Sequence, residues 1–312
     1  MMQSVVVYGR LVARALFAGM NNEFQQFPFK NGSSSNARPL RLVTASSGIG
    51  KTQSQAKLTK KLSFGDDACF IARHKLADVI GVADGVGGWR TYGVDPSVFP
   101  NCLMETCGRL VNEGRFQPNH LIEMLAASYQ EVLENKMPQI GSCTACVVAL
   151  HCDENTIYTA NLGDSGFVVI RRGEVIHRSE EQQHYFNTPF QLSVAPTVLE
   201  GMVLSDSPES AQSTSFGVKE GDLILVGTDG LFDNMSEEML LYNVAQLKDH
   251  KLESLQRIAN TIAQEAHKLA FDPEYLSPFS LNAAANGFNI KGGKPDDVTV
   301  LLSRVTHVEL PT

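Results

Sequence analysis

The sequence is short of several things, and each shortage excludes a class of protein. No uncharged apolar stretch reaches the ~18 residues that a membrane-crossing helix requires, and Arg10 and Arg14 interrupt the apolar N-terminal segment. A chain that does not span a membrane is expected. Before Asp66 there is one acid, Glu23, against nine Lys/Arg. No secretory signal precedes the six cysteines, because the basic residues lie inside the apolar stretch rather than ahead of it. Reduced thiols in an intracellular compartment are expected instead of a disulfide framework. There is a single tryptophan, Trp89.

Acid is plentiful from Asp66 onward: 33 Asp/Glu stand against 17 Lys/Arg, a formal charge of −16. Such a body repels phosphate backbones, so nucleic acid is not expected as a partner. It suits carboxylates gathered around a divalent cation. At 312 residues, 43% of them apolar, the chain has enough material for a sizeable core.

Residues 1–22 carry Arg10 and Arg14 four apart, no acid, and Val5, Val6, Val7, Leu11, Leu16 and Phe17. An amphipathic, acid-poor segment of this kind reads as a mitochondrial presequence, with the matrix as its destination; a frayed cytosolic tail is the plainer reading. Residues 24–61 are rich in Ser, Gln, Asn and Lys and read as linker. The expected division is therefore a targeting and linker segment over 1–59, one catalytic domain over 60–308 and a tail over 309–312. Ala45–Thr52, Ala-Ser-Ser-Gly-Ile-Gly-Lys-Thr, approaches a phosphate-binding loop, with Lys51 and Thr52 in its working positions. Such a loop needs a strand before it and a helix after it. Arg41–Thr44 are a weak strand and the residues that follow lack a helical period.

In the body, short apolar runs predict strands at 68–72, 79–83, 144–150, 156–162, 167–170, 175–177, 222–228 and 298–303. Apolar residues spaced by threes and fours predict helices over 102–111, 118–136 and 252–269, and Ser236 caps another. Residues 182–221 and 271–294 read as irregular loops. Strands joined mostly by short turns, with helices between them, predict an α+β fold rather than a doubly wound parallel sheet.

Acids punctuate the predicted strand ends at Asp66-Asp67, Asp84-Gly85, Asp229-Gly230 and Asp296-Asp297, with Asp164 and Asp233 close by. An Asp-Gly pair alone is usually a turn. Several such acids in one cleft would repel one another and raise each other's pKa unless a cation intervened. All-oxygen ligation favours Mg²⁺ or Mn²⁺ over zinc, and two such ions can activate water against a phosphoryl group.

These acids stand in motifs that resemble the metal-dependent serine/threonine protein phosphatases of the protein phosphatase 2C (PPM) family, its mitochondrial branch most of all. The matching stretches are Gly65–Ala68, Val82–Gly85, Gly141–Ala145, Asn161–Ser165, Thr228–Asp233 and Pro295–Thr299. The resemblance implies two central antiparallel β-sheets in a sandwich flanked by helices. It also implies hydrolysis of phosphoserine and phosphothreonine in phosphoprotein substrates by water held between two Mn²⁺ or Mg²⁺ ions. By motif, the metal ligands would be Asp66, Asp84, Gly85, Asp229 and Asp296, with Asp84 bridging both ions. Catalysis would rest on Asp84 and Asp67, and a weaker third ion would sit at Asp164 and Asp233. A monomer is expected.

Two departures stand out. Val86 occupies the place where the family often has a histidine able to act as general acid, so a water or another side chain must protonate the leaving group. Leu62, preceded by Lys60 and Lys61, stands near the family's phosphate-holding arginine. A phosphatase-like binding module without activity and a nucleotide hydrolase built on Lys51 and Thr52 are the competing readings. Cys143-x-x-Cys146 reads as buried thiols rather than a zinc or redox pair. His177 and His184 lie near turns without a second ligand motif, and Trp89 is expected to pack at the mouth of the site.

Overall fold

The computed structural model describes residues 39–52, 64–134, 139–199, 201–249 and 251–307. The expected presequence, Lys60 to Leu62 and the C-terminal tail lie outside them.

Two five-stranded antiparallel sheets form the centre of the described residues. The strands in chain order are β1 (Leu40–Ile49), β2 (Ala68–Arg73), β3 (Ala77–Ala83), β4 (Gly141–Cys143), β5 (Ala145–His151), β6 (Thr156–Leu162) and β7 (Gly166–Arg171). They continue as β8 (Glu174–Arg178), β9 (Gln183–Tyr185), β10 (Thr188–Pro189), β11 (Leu192–Val194), β12 (Gln212–Gly217), β13 (Leu223–Gly227) and β14 (Val298–His307). One sheet runs β1-β14-β13-β7-β8 and the other β12-β6-β5-β3-β2; β9 pairs with β10, and β4 with β11. The helices are α1 (Val98–Asn112), α2 (Leu121–Leu133), α3 (Asp229–Phe232), α4 (Glu237–Val244), α5 (Leu252–Ala270) and α6 (Pro278–Ala285).

The strands are apolar on both faces because both faces are covered. Along β5, Cys146, Val148 and Leu150 enter the core between the sheets, whereas Val147 and Ala149 enter the core beneath α1 and α2. Along β13, Ile224 and Val226 face the other sheet, whereas Leu223 and Leu225 meet α5 residues such as Leu255 and Ile262. The period of two thus sorts one strand into two cores. The result is a helix–sheet–sheet–helix sandwich, the architecture that the resemblance implies.

Three differences from the sequence reading have physical reasons. β1 lies within the residues read as linker, so the domain includes residues before 60. Its Arg41 is buried because Nε and Nη2 donate to Asp78 at 3.0 and 2.6 Å, and the Leu42 N–H donates to the same carboxylate at 2.7 Å. Ordered elements also interrupt 182–221: β12 is an edge strand whose alternate side chains are exposed. Residues 271–294 contain α6, started by Ser277, whose hydroxyl accepts the Ser280 N–H at 3.0 Å, with Pro278 in the first turn.

Antiparallel pairing brings the acids to one end. Ala68 opposes Ala83, so the start of β2, after Asp66-Asp67, meets the end of β3, before Asp84. Gly227 opposes both Val300 and Gly166, which places Asp229 beside the start of β14, after Asp296-Asp297, and beside Asp164.

Candidate active site

Carboxylate oxygens of Asp84, Asp164 and Asp229 lie within 4.8 Å of one another. Asp67 and Asp296 act on Asp84 from the same cluster. Asp67 is fixed by the Thr228 and Thr299 hydroxyls, which donate to its Oδ2 at 2.8 and 2.7 Å. Its other oxygen, Oδ1, is buried with no partner, as are Asp164 Oδ1 and Asp229 Oδ1. Buried oxygens that lack donors, on acids gathered in one cluster, fit a hard divalent cation.

The second acid of the 296–297 pair does structural work. Asp297 accepts the Lys51 N–H at 2.6 Å and the Asp66 N–H at 2.9 Å, which ties the end of β1 and the start of β2 to β14. Gly85 turns the chain directly after Asp84. A Cβ there would stand 2.5 Å from the carbonyl oxygens of both Asp66 and Pro96, so only glycine fits.

Charge repulsion is visible in the protonation of the cluster. Burial, then the neighbouring Asp229, Asp67 and Asp296, push Asp84 well above the carboxylate range. Asp229 is held below its ordinary value: burial works against it, but the Lys294 ammonium and a hydrogen bond from Asp84 outweigh burial. The two acids are thus pushed in opposite directions, Asp84 up and Asp229 down. Burial pushes Asp296 up to about 6 and Asp233 up to about 7, the latter despite the opposing Lys294.

A stability consequence follows. Asp296 and Asp233 keep protons in the fold to about 6 and about 7, whereas unfolded they release them near 3.8. Between those values the native state binds more protons than the unfolded state, so this contribution to stability falls as pH rises. Melting of metal-free protein is expected to fall from pH 5 to pH 8, and added Mn²⁺ is expected to raise it most at pH 8. A melting temperature that climbs with pH in chelator would contradict the cluster.

The structure brings together Asp67, Asp84, Asp164, Asp229, Asp233 and Asp296. Asp66 is placed differently: its carboxylate accepts two bonds from the Arg90 guanidinium, each of 2.5 Å. Of the 66–67 pair, Asp67 is the member that acts on Asp84.

Two cations stand at the rim. The Lys51 ammonium lies 3.3 Å from Asp296 Oδ1. A Cβ on Gly87 would sit 3.6 Å from Arg90 Nη1 and 3.7 Å from Lys51 Nζ, so both heads converge above this glycine. Sequence reasoning missed Arg90 and Lys294. The available signals were that Arg90 lies in the Gly-rich segment after Asp84 and that Lys294 lies two residues before Asp296.

The nucleotide-loop reading is overturned by geometry. Ala45–Ile49 run extended and pair residue by residue with Leu302–Val298 of β14, so they cannot curl around a phosphate. A Cβ on Gly48 would overlap the Phe64 ring; this glycine accommodates a side chain rather than a phosphate. All six cysteines are free, and burial pushes the thiols of Cys143 and Cys146 up, away from reactivity. His177 bonds Thr214 at 3.0 Å and His184 bonds Asp206 at 3.1 Å. Trp89 is buried, its Nε1 donating to Ser142 Oγ at 2.8 Å beside the Asp84 turn.

A sequence profile described as protein phosphatase 2C matches residues 56–270. The chain is 58% identical over 306 residues to the human protein described as "Protein phosphatase PTC7 homolog", covering 98% of this chain and 99% of that one. Among solved structures, the photosystem II phosphatase PBCP superposes with a TM-score of 0.71 at 25% identity, covering 86% of this chain and 100% of that one. The catalytic domain of the serine/threonine protein phosphatase PstP, solved in complex with two manganese ions, shares the fold with a TM-score of 0.52 at 16% identity. It covers 86% of this chain and 99% of that one.

Proposed function

The chain belongs to the protein phosphatase 2C family and is a serine/threonine protein phosphatase, and on that premise we propose that the Asp84 cluster hydrolyses phosphoserine and phosphothreonine with two Mn²⁺ or Mg²⁺ ions. The observation that carries this reading is the set of buried, partnerless oxygens on Asp67, Asp164 and Asp229. Manganese in the PstP neighbour supports the choice of ion. When bound, the ions lower the pKa of a water and offset charge on the transferring phosphoryl group.

The chain's own residues set the geometry. Asp84, held above the carboxylate range by burial and its acidic neighbours, gives up its proton when the cluster binds cations. The Thr228 and Thr299 hydroxyls hold Asp67 by Oδ2 and leave its Oδ1 without a donor. Lys51 holds the substrate phosphate at the rim as a point charge, and Arg90, whose fork is engaged by Asp66, adds positive charge beside it. Val86 has no proton to give, so the departing seryl oxygen takes its proton from water. A silent binding module would have no use for the partnerless acids and the paired rim cations, and their retention favours an active enzyme.

The test is phosphate release from a phosphopeptide with Mn²⁺, with Mg²⁺ and with chelator. Activity is expected only with metal, and Lys51→Ala should raise KM about tenfold, on the scale of one lost charge-assisted hydrogen bond. Undiminished hydrolysis in excess chelator would refute the reading. The amphipathic, acid-poor pattern of residues 1–22 supports a mitochondrial matrix destination; a reporter fused to residues 1–40 that stayed in the cytosol would refute that reading.

A further inference from the structure

The acids expected to hold a third ion do not all lack a partner. Asp233 Oδ2 accepts a hydrogen bond from the Lys294 ammonium at 2.7 Å. The same ammonium bonds Asp229 Oδ2 and lies 4.0 Å from Asp296 Oδ2. One fixed cation thus faces three acids of the cluster, including both acids of Thr228–Asp233. A divalent ion bridging the Oδ2 atoms of Asp229 and Asp233 would have to occupy the volume of that ammonium.

Lys294 is held there by more than its charge. Its backbone N–H donates to Asn234 Oδ1 at 2.8 Å, and its carbonyl accepts from Asn234 Nδ2 at 2.9 Å. Asn234 is fully buried, and its Nδ2 also donates to the Gly230 carbonyl at 3.0 Å, inside the acidic turn. Upstream, Gly293 is pressed against the end of α5, where a Cβ would overlap the Leu269 carbonyl oxygen. The Ser277 hydroxyl fastens the Gly292 carbonyl at 2.6 Å. Above, the ammonium lies 5.3 Å from the centre of the Phe279 ring, a face that attracts cations. Three sides of the lysine are therefore built. The side chain is 15% exposed, so little solvent competes for it.

We propose that Lys294 is a resident cation that stands in place of a third divalent ion, so that this enzyme takes two ions and not three. The inference rests on the metal-dependent reading above and assigns Asp233 to a lysine rather than to a metal. Asp164 keeps its partnerless oxygen for the two-ion cluster, in which its carboxylate lies with those of Asp84 and Asp229. The amine gives the acids a positive charge that is covalently tethered and cannot be diluted away. The positive charge beside Asp229 should therefore persist at Mn²⁺ concentrations too low to fill a weak third site.

The experiment counts Mn²⁺ bound to the full chain by equilibrium dialysis into the millimolar range, with melting and circular dichroism to verify folding. Two ions are expected in the natural protein and two in Asp233→Asn. Three are expected in Lys294→Ala, where the vacated volume between Asp229 and Asp233 admits Mn²⁺. Three ions in the natural protein, falling to two in Asp233→Asn, would overturn the proposal, as would two ions in a folded Lys294→Ala. If Lys294→Ala does not fold, the natural protein and Asp233→Asn still decide the question. No Mn²⁺ binding by the natural protein would instead refute the metal-dependent reading itself, and this inference with it.

Discussion

In Asp84→Asn, metal-dependent phosphopeptide hydrolysis is expected to fall by about 10³-fold, the scale on which removal of one transition-state electrostatic contact acts in a water-excluded site. The fold should survive. An asparagine matches the volume of the Asp84 side chain and can donate toward the neighbouring acids. The Asp84 backbone bonds, from its N–H to the Thr144 hydroxyl at 3.1 Å and from the Thr144 N–H to its carbonyl at 3.0 Å, are unaffected. Stability should move opposite to activity. The substitution removes one acid from a cluster that repels itself, so the metal-free variant should melt above the metal-free natural protein. Added Mn²⁺ should raise the variant's melting temperature less. Paired measurements of rate and melting check both halves. A variant that lost activity and also melted lower without metal would show that Asp84 holds the fold rather than the ions.

Gly230→Ala should have the largest effect on stability, a loss of about 3 kcal/mol at the upper end of overpacking costs. A Cβ at this position would overlap the Asp297 carbonyl oxygen and come within 3.5 Å of the Asp296 Cβ. The obstacle is backbone, which cannot rotate aside. Relief would require α3 to separate from the start of β14, and that separation would carry Asp229 away from Asp296. Metal affinity should therefore fall together with stability. Chemical denaturation and Mn²⁺ titration on the same variant check this. A stable Gly230→Ala with natural affinity would mean that the two segments tolerate displacement.

Much of the architecture was readable from β3, β5 and β13, because strands covered on both faces appear as unbroken apolar runs bounded by turns. The acid positions were readable for a related reason: an aspartate at the end of such a run is exposed to whatever the neighbouring strand ends also present. β1 was legible only as a weak strand over Arg41–Thr44, because its Arg41, Ser46, Ser47 and Gly48 break the apolar pattern. Arg41 is tolerated through Asp78, a partner that only the folded chain supplies. β12 was hidden because an edge strand with one exposed face carries polar residues throughout. Lys51 was visible but misassigned, since a glycine-flanked Lys-Thr reads locally as a phosphate loop. Its neighbour Asp296 comes from the opposite end of the sequence. Arg90 and Lys294 were missed for the same reason: a cation is informative only once the acids around it are known.

The place of β14 bears on when the enzyme can exist. This strand lies inside its sheet, flanked by β1 from the start of the domain and by β13, and it is preceded by Asp296 and Asp297. Pairing of Leu40 with His307 is a contact of very long sequence separation, of the kind that forms late and slows folding. While the chain emerges from a ribosome, β1 waits for β14, which is made after every other described strand, and the acid cluster lacks Asp296 until then. A chain made only as far as β13 therefore lacks both the partner of β1 and one acid of the cluster.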